Sequence, residues 1–182
     1  MIPKRKLIII TGDLASGKST LADALSKHLN VPAFKKDVIK EQYCDMYGFI
    51  TREDNRKLSV MAVDFMIQSF FSFASMQQNI ILEANFRENE LRQIKEMAIQ
   101  FDYEVILIVL RGEIDVLYKR FLERLPTRHK AHTSLKLDES IDKFREYIQM
   151  LRDQDLVFVP HIIVTTNKTE QEVFDIALKL VE

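Results

Sequence analysis

Apolar residues follow two alternating rhythms along this chain. Short unbroken runs give way to longer stretches with apolar positions three or four apart, and the alternation predicts repeated βα units. Residues 6–11 form a β-branched run, and Leu21, Ala22, Leu25 and Leu29 then mark one face of a helix over 19–29. Pro32 opens a short strand over 33–35, and a helix over 38–47 stops at Gly48. Thr51-Arg52-Glu53-Asp54 resembles a capping box with Asp in place of Glu, and it opens a helical stretch to about residue 77. The second half of that stretch, which includes Val60, Met61, Phe65, Phe70, Phe71, Phe73 and Met76, has almost no polar face. Plain core, a partner face or an apolar substrate wall would each account for it. The pattern continues with strand 80–83, helix 88–100, strand 104–110 and helix 114–125. A polar, basic segment over 126–136 then precedes helix 138–153, strand 162–165 and helix 169–180. Five apolar strands separated by helices predict an α/β fold, a parallel sheet covered on both faces with right-handed crossovers.

The 182 residues suit one compact domain over 1–182. The 26 basic and 27 acidic residues leave a net charge of -1, so no global positive field would hold duplex nucleic acid or an anionic membrane. Any anion must be bound locally. The longest clean apolar runs are far shorter than the roughly 20 residues that span a bilayer, so no membrane partner is expected. Cys44 has no internal partner for a disulfide, which fits a cytoplasmic location and a buried thiol.

Gly12-Asp13-Leu14-Ala15-Ser16-Gly17-Lys18-Ser19 satisfies the pattern G-x-x-x-x-G-K-[ST] between a predicted strand and a predicted helix, and Thr20 follows. Such a loop turns successive backbone N–H groups toward phosphate oxygens at a helix N-terminus. Lys18 would reach the β- and γ-phosphates, and the Ser19 hydroxyl would face Mg²⁺. The loop implies ATP as cofactor without fixing the reaction. Asn167-Lys168-Thr169-Glu170 and Asp45-Met46-Tyr47-Gly48 superficially match guanine-reading and GTPase motifs. Glu170 stands where Asp should contact guanine, however, and Asp45 falls inside a helical pattern.

Ligands of open parallel sheets gather beyond the carboxyl ends of the strands. Asp37, after the second strand, could accept a proton from an attacking hydroxyl, and it could equally cap the helix that begins at Val38. Glu83, at the end of the third strand, is the candidate second acid for Mg²⁺. Asn85 and Arg87 follow it and could touch the acceptor. Arg120, Arg124 and Arg128 recur every four residues and suit phosphoryl charge, with Arg145 on the next helix closing from the other side. His129 and His132 lack further ligands nearby and fit an exposed lid better than a zinc site.

With these residues in view, the chain resembles the P-loop kinases, the group of nucleoside monophosphate, shikimate and gluconate kinases, chloramphenicol phosphotransferase and zeta toxins. The resemblance rests on residues 11–20, Asp37, the run Ile80-Ile81-Leu82-Glu83-Ala84-Asn85-Phe86, Arg120 and Arg124 leading into a lid near 126–137, and Arg145. It implies a P-loop NTPase three-layer αβα sandwich with strand order 2-3-1-4-5. It also implies Asp37 as base, Arg124 and Arg128 on phosphate, Arg120 near adenine, and Thr166-Asn167 along the base pocket. Ala15 stands where many relatives have Gly, Glu83 replaces a commoner Asp, and the lid is short. The expected activity is ATP- and Mg²⁺-dependent transfer to a hydroxyl of a small molecule by a monomer or homodimer. A polynucleotide 5′-hydroxyl kinase and a regulatory ATP-binding module are the alternatives. Lys35, Lys36 and Arg87 point to an anionic acceptor, whereas Phe70 and Phe71 point to an uncharged one.

Overall fold

The computed structural model describes residues 5–132 and 136–182, so residues 133–135 of the expected lid and the first four residues lie outside the described residues. Its elements are β1 (Arg5–Gly12), α1 (Lys18–Leu29), β2 (Ala33–Lys35), α2 (Lys36–Tyr47), α3 (Arg52–Ser75), β3 (Ile80–Glu83) and α4 (Glu88–Gln100). They continue with β4 (Tyr103–Arg111), α5 (Ile114–Arg124), α6 (Ile141–Arg152), β5 (Pro160–Val164) and α7 (Glu170–Val181). Two single 3₁₀ turns, Leu125–Thr127 and Lys130–His132, lie in the basic segment.

The sheet is parallel with the order β2-β3-β1-β4-β5, as the resemblance implied. Its strands read as unbroken apolar runs because both faces are buried. Leu7 and Ile9 of β1, Leu82 of β3 and Leu107 and Val109 of β4 join one cluster with Ala62, Met66 and Phe70 of α3 and Leu91 and Ile94 of α4. The alternate positions Ile8, Ile10, Ile81, Ile106 and Ile108 face Leu21 and Leu25 of α1 and Val173 and Ala177 of α7. A third cluster, Leu117, Phe121, Leu137, Phe144 and Ile148, binds α5 to α6 beside the lid.

Local chemistry shifts three expected boundaries. Lys36 and Asp37 already belong to α2, so Asp37 lies in its first turn and does not cap it. Helix α6 starts at Ile141, because the Ser140 hydroxyl accepts the Lys143 N–H (3.2 Å), while the preceding Lys136 takes a left-handed φ of 48°. Strand β5 opens at Pro160, a residue tolerated as the first of an edge strand.

The Thr51–Asp54 capping box forms as expected and opens the 24-residue α3. By length and composition alone that helix is apolar enough to cross a membrane. In this fold one side of it is core, while Val60, Met61, Phe65 and Phe71 lie exposed on the other.

Candidate active site

The phosphate loop is set by backbone that few side chains tolerate. Gly12 (φ 125°), Ala15 (φ 57°) and Gly17 (φ 92°) all lie in the left-handed region. A β-carbon at Gly12 would stand 2.0 Å from the Leu110 carbonyl oxygen, so the loop can leave β1 against β4 only with glycine there. Ala15 takes the same hand without glycine's freedom, a strained conformation of the kind held in place at functional loops.

Within the loop, Ser16 Oγ donates to the Asp13 carbonyl (2.7 Å). Lys18 Nζ donates to the carbonyls of Asp13 (2.7 Å) and Gly12 (3.2 Å). Leu14 and Ala15 pack beside the α5–α6 cluster, whereas Ser19 and Thr20 open the first turn of α1 on the exposed side. Ser19 Oγ donates to Glu83 Oε2 (3.0 Å) at the end of β3. Two hard oxygens on adjacent elements fit Mg²⁺, which keeps most of its shell for water and phosphate. Among the described residues no group of three or more His, Cys, Asp or Glu side chains could hold a metal ion.

Asp37 lies at the same edge with its side chain 64% exposed, and its charge acts on Lys18 and Arg128. Burial lowers the Lys18 pKa, while Glu83, Asp37 and Asp13 oppose the shift. Burial raises the Glu83 carboxyl, while Lys18 opposes it. The unfolded chain therefore loses the Glu83 proton first, so this group subtracts stability as pH rises above the ordinary carboxyl range. Glu83→Gln keeps an oxygen for the Ser19 hydroxyl and removes the buried charge. In metal-free buffer near about pH 7.5 the variant is expected to melt at or above the parent temperature, by up to about 2–4 °C, the shift that roughly 1 kcal/mol gives a chain of this size. A lower melting temperature in calorimetry would mean that attraction to Lys18 outweighs desolvation.

Over residues 128–132 the basic segment is strapped against α2 and α3, where the sequence suggested an exposed lid. His132 Nε2 lies 2.8 Å from Glu41 Oε1 and its Nδ1 3.9 Å from Asp37 Oδ1, while His129 Nε2 lies 3.1 Å from Asp45 Oδ1. Lys40 Nζ and Asn55 Nδ2 both donate to the Ala131 carbonyl (2.7 and 3.0 Å). These ties hold Arg128 with its guanidinium 4.8 Å from the Phe121 ring, where burial lowers its pKa and Asp37 opposes the shift. Cys44 is buried beneath the strap among Leu58 and Ala131.

Arg120 and Arg124 line a cavity of about 880 Å³ that begins at Ala15-Ser16-Gly17 and runs between α1 and α7. The expected base-pocket pair is displaced: Thr165 and Lys168 line the cavity instead of Thr166 and Asn167. The reason is a turn after β5, in which the Lys168 N–H donates to the Thr165 carbonyl (3.3 Å) and brings those two residues to one side. Thr166 Oγ1 accepts the Glu113 N–H (3.3 Å), and Asn167 Oδ1 accepts from Lys168 Nζ (3.0 Å).

Two further expectations change, for Arg145 and Asn85, and the acidic side chain of the loop finds its partner. Arg145 is drawn into ion pairs with Asp142 (2.6 Å) and Asp115 (3.7 Å), so it does not close on the phosphate loop. The Asp13 side chain is turned away from the phosphate side, buried, and held by Arg152. Asn85 lines a cavity of about 20 Å³ behind the loop, with its Oδ1 buried and unpartnered, and so does not stand open to an acceptor. Arg87 is exposed at the start of α4, where its charge acts on Tyr147 along with those of Asp37 and Arg128. Lys35 is paired with Asp23 (2.7 Å).

Sequence reasoning missed Lys40, Tyr147, Arg152 and Lys168. For Arg152 a signal existed: it lies seven residues after Arg145, on nearly the same face of α6 two turns further on.

The family described as AAA domain matches residues 8–149. A cytidylate kinase of Sulfurisphaera tokodaii is 25% identical over 131 residues, 70% of this chain and 73% of its own. A solved structure from Chloroflexus aurantiacus covers 99% of this chain and 100% of its own at TM-score 0.80 and 24% identity. A gluconokinase structure from Sinorhizobium meliloti covers 97% of this chain and 90% of its own at TM-score 0.62 and 15% identity. The two structures establish likeness of fold.

Proposed function

The chain belongs to the AAA domain family and has the fold of the P-loop kinases, and from that premise we propose that it transfers the γ-phosphate of ATP to a hydroxyl group of a small molecule. The observation that carries this reading is the gathering of Lys18, Asp37, Glu83 and Arg128 at the carboxyl edge of the sheet, with Arg124 at the rim of the neighbouring cavity. ATP lies along the cavity, its phosphates on the backbone of residues 12–19 and its base near Arg120, Thr165 and Lys168. The acceptor oxygen attacks the γ-phosphorus as the bond to the β-phosphate oxygen breaks, Asp37 takes the hydroxyl proton, and ADP leaves. Lys18, Arg124 and Arg128 meet the charge that spreads over the transferring group. Ser19 and Glu83 would hold Mg²⁺, which would supply charge neutralisation during transfer.

A second reading has a specific support, the relative named as a cytidylate kinase. In it the acceptor is a nucleoside monophosphate and the attacking oxygen belongs to its phosphate, with Arg87 and Arg128 at hand for the anion.

One incubation separates the two. The protein with Mg²⁺ and ATP is offered a pool of hydroxyl-bearing metabolites and, in parallel, a pool of nucleoside monophosphates, and the products are read by mass spectrometry. A new phosphate ester on a hydroxyl is the expected result. Nucleoside diphosphates alone would establish the second reading. Slow ATP hydrolysis that no compound stimulates would overturn both in favour of a regulatory ATP-binding module.

A further inference from the structure

Asp13 is the one acidic residue of the phosphate loop, and it is 1% exposed. A buried carboxylate beside a site for phosphates would repel them unless something neutralises and holds it. Arg152, in the last turn of α6, does both. Its Nε donates to Asp13 Oδ1 (3.1 Å) and its Nη2 to Asp13 Oδ2 (2.5 Å), a two-pronged pairing that only a guanidinium can make. The same Nη2 donates to the Gly112 carbonyl (2.7 Å), while the Gly112 N–H donates to Asp13 Oδ2 (3.0 Å). The Asp13 backbone is fixed too, since its N–H donates to the Leu110 carbonyl (2.8 Å). Asp13 is thereby clamped between the end of β4 and α6, and its carbonyl is the group that accepts from Ser16 Oγ and Lys18 Nζ.

We infer that Arg152 is a positioning residue for ATP: through Asp13 it holds the phosphate loop in shape and ties that shape to α6, the helix leading out of the basic lid segment. The inference rests on the ATP-binding reading above. At its other end α6 follows Ser140, and its middle carries Phe144 and Ile148 into the cluster shared with α5. The loop is thus joined to α6 by this ion pair as well as by the packing of Leu14 and Ala15 beside the α5–α6 cluster.

The test separates positioning from folding. Asp13→Ala combined with Arg152→Met removes both charges and leaves apolar chains, so neither is stranded; such replacements are often close to neutral in stability. Its melting temperature is expected to stay within a few degrees of the parent, while the Kd for ATP by calorimetry rises about tenfold or more, since small misplacement at a site is costly. Arg152→Lys keeps the charge but not the fork. It is expected to fold normally, with the KM for ATP raised about threefold or more, kcat lowered and the KM for the acceptor unchanged. Parent-like ATP affinity in a folded double variant would overturn the inference, as would a lysine variant with parent-like KM for ATP and kcat. A parent protein that binds no ATP would sink the functional reading itself, a result visible before any variant is made.

Discussion

Lys18→Ala is expected to leave a folded protein with phosphoryl transfer reduced by about a thousandfold or more. The expectation follows from where the ammonium stands. It is curled inside the loop on the carbonyls of Gly12 and Asp13, at the end of a chain long enough to swing toward a β- or γ-phosphate oxygen. Charge that develops on a transferring phosphoryl group is stabilised by groups already aimed at it, and losing one such donor typically costs about 10²–10³ in kcat. Lys18 adds a full charge to that role. Burial lowers its pKa, so the ammonium is held at some cost to the fold and its removal should not lower the melting temperature much. Turnover assayed by ADP release, with calorimetry on the same sample, decides the matter. Activity within tenfold of the parent in a protein of unchanged melting temperature would remove the phosphate loop from the chemistry.

Asp37→Asn should separate transfer from binding. The side chain is largely exposed in the first turn of α2, so the amide fits without strain and the melting temperature is expected to hold. What changes is the ability to take a proton. Positioned general bases contribute about 10²–10⁴ to rate, and kcat should fall by that order once an acceptor is in hand. The Kd for ATP should remain within about threefold, because Asp37 does not line the cavity beside the phosphate loop. An unchanged kcat would show that Asp37 takes no proton. A large loss of ATP affinity would instead give it a part in holding the metal or the phosphates. The nearby His132, which touches Glu41 and approaches Asp37, makes the strap part of this carboxylate's surroundings.

The elements were legible because burial on both faces of a sheet leaves an apolar signature that one dimension preserves, whereas the strand order came only through the family resemblance. Ile8 and Ile10 alternate with Leu7 and Ile9, and every one of the four is buried. The phosphate loop was legible because its glycines recur at a fixed spacing, and Gly12 and Gly17 take positive φ, although Gly12 answers also to the Leu110 carbonyl on β4. The side chains that meet across the site were less so. Arg145 and Arg152 look alike along α6, and only the packing of Phe144 and Ile148 against α5 decides which turn faces Asp13. Thr166 and Asn167 lost the cavity wall to Thr165 and Lys168 through a single turn. The two histidines looked solvated because their partners, Asp45 and Glu41, are 84 and 91 residues away.

From its sequence alone, then, this protein was committed to a phosphate-binding loop on a doubly covered parallel sheet, with an acid at the end of β3 and another after β2. Those features depend on interactions between near neighbours and on hydrophobic burial, which periodicity records. Which arginine neutralises the loop, which partners hold residues 128–132 and which residues line the cavity beside the loop were decided in three dimensions. Ion pairs and hydrogen bonds act over a few ångströms of space whatever the distance along the chain, and helical spacing places a residue on a face without saying what that face meets.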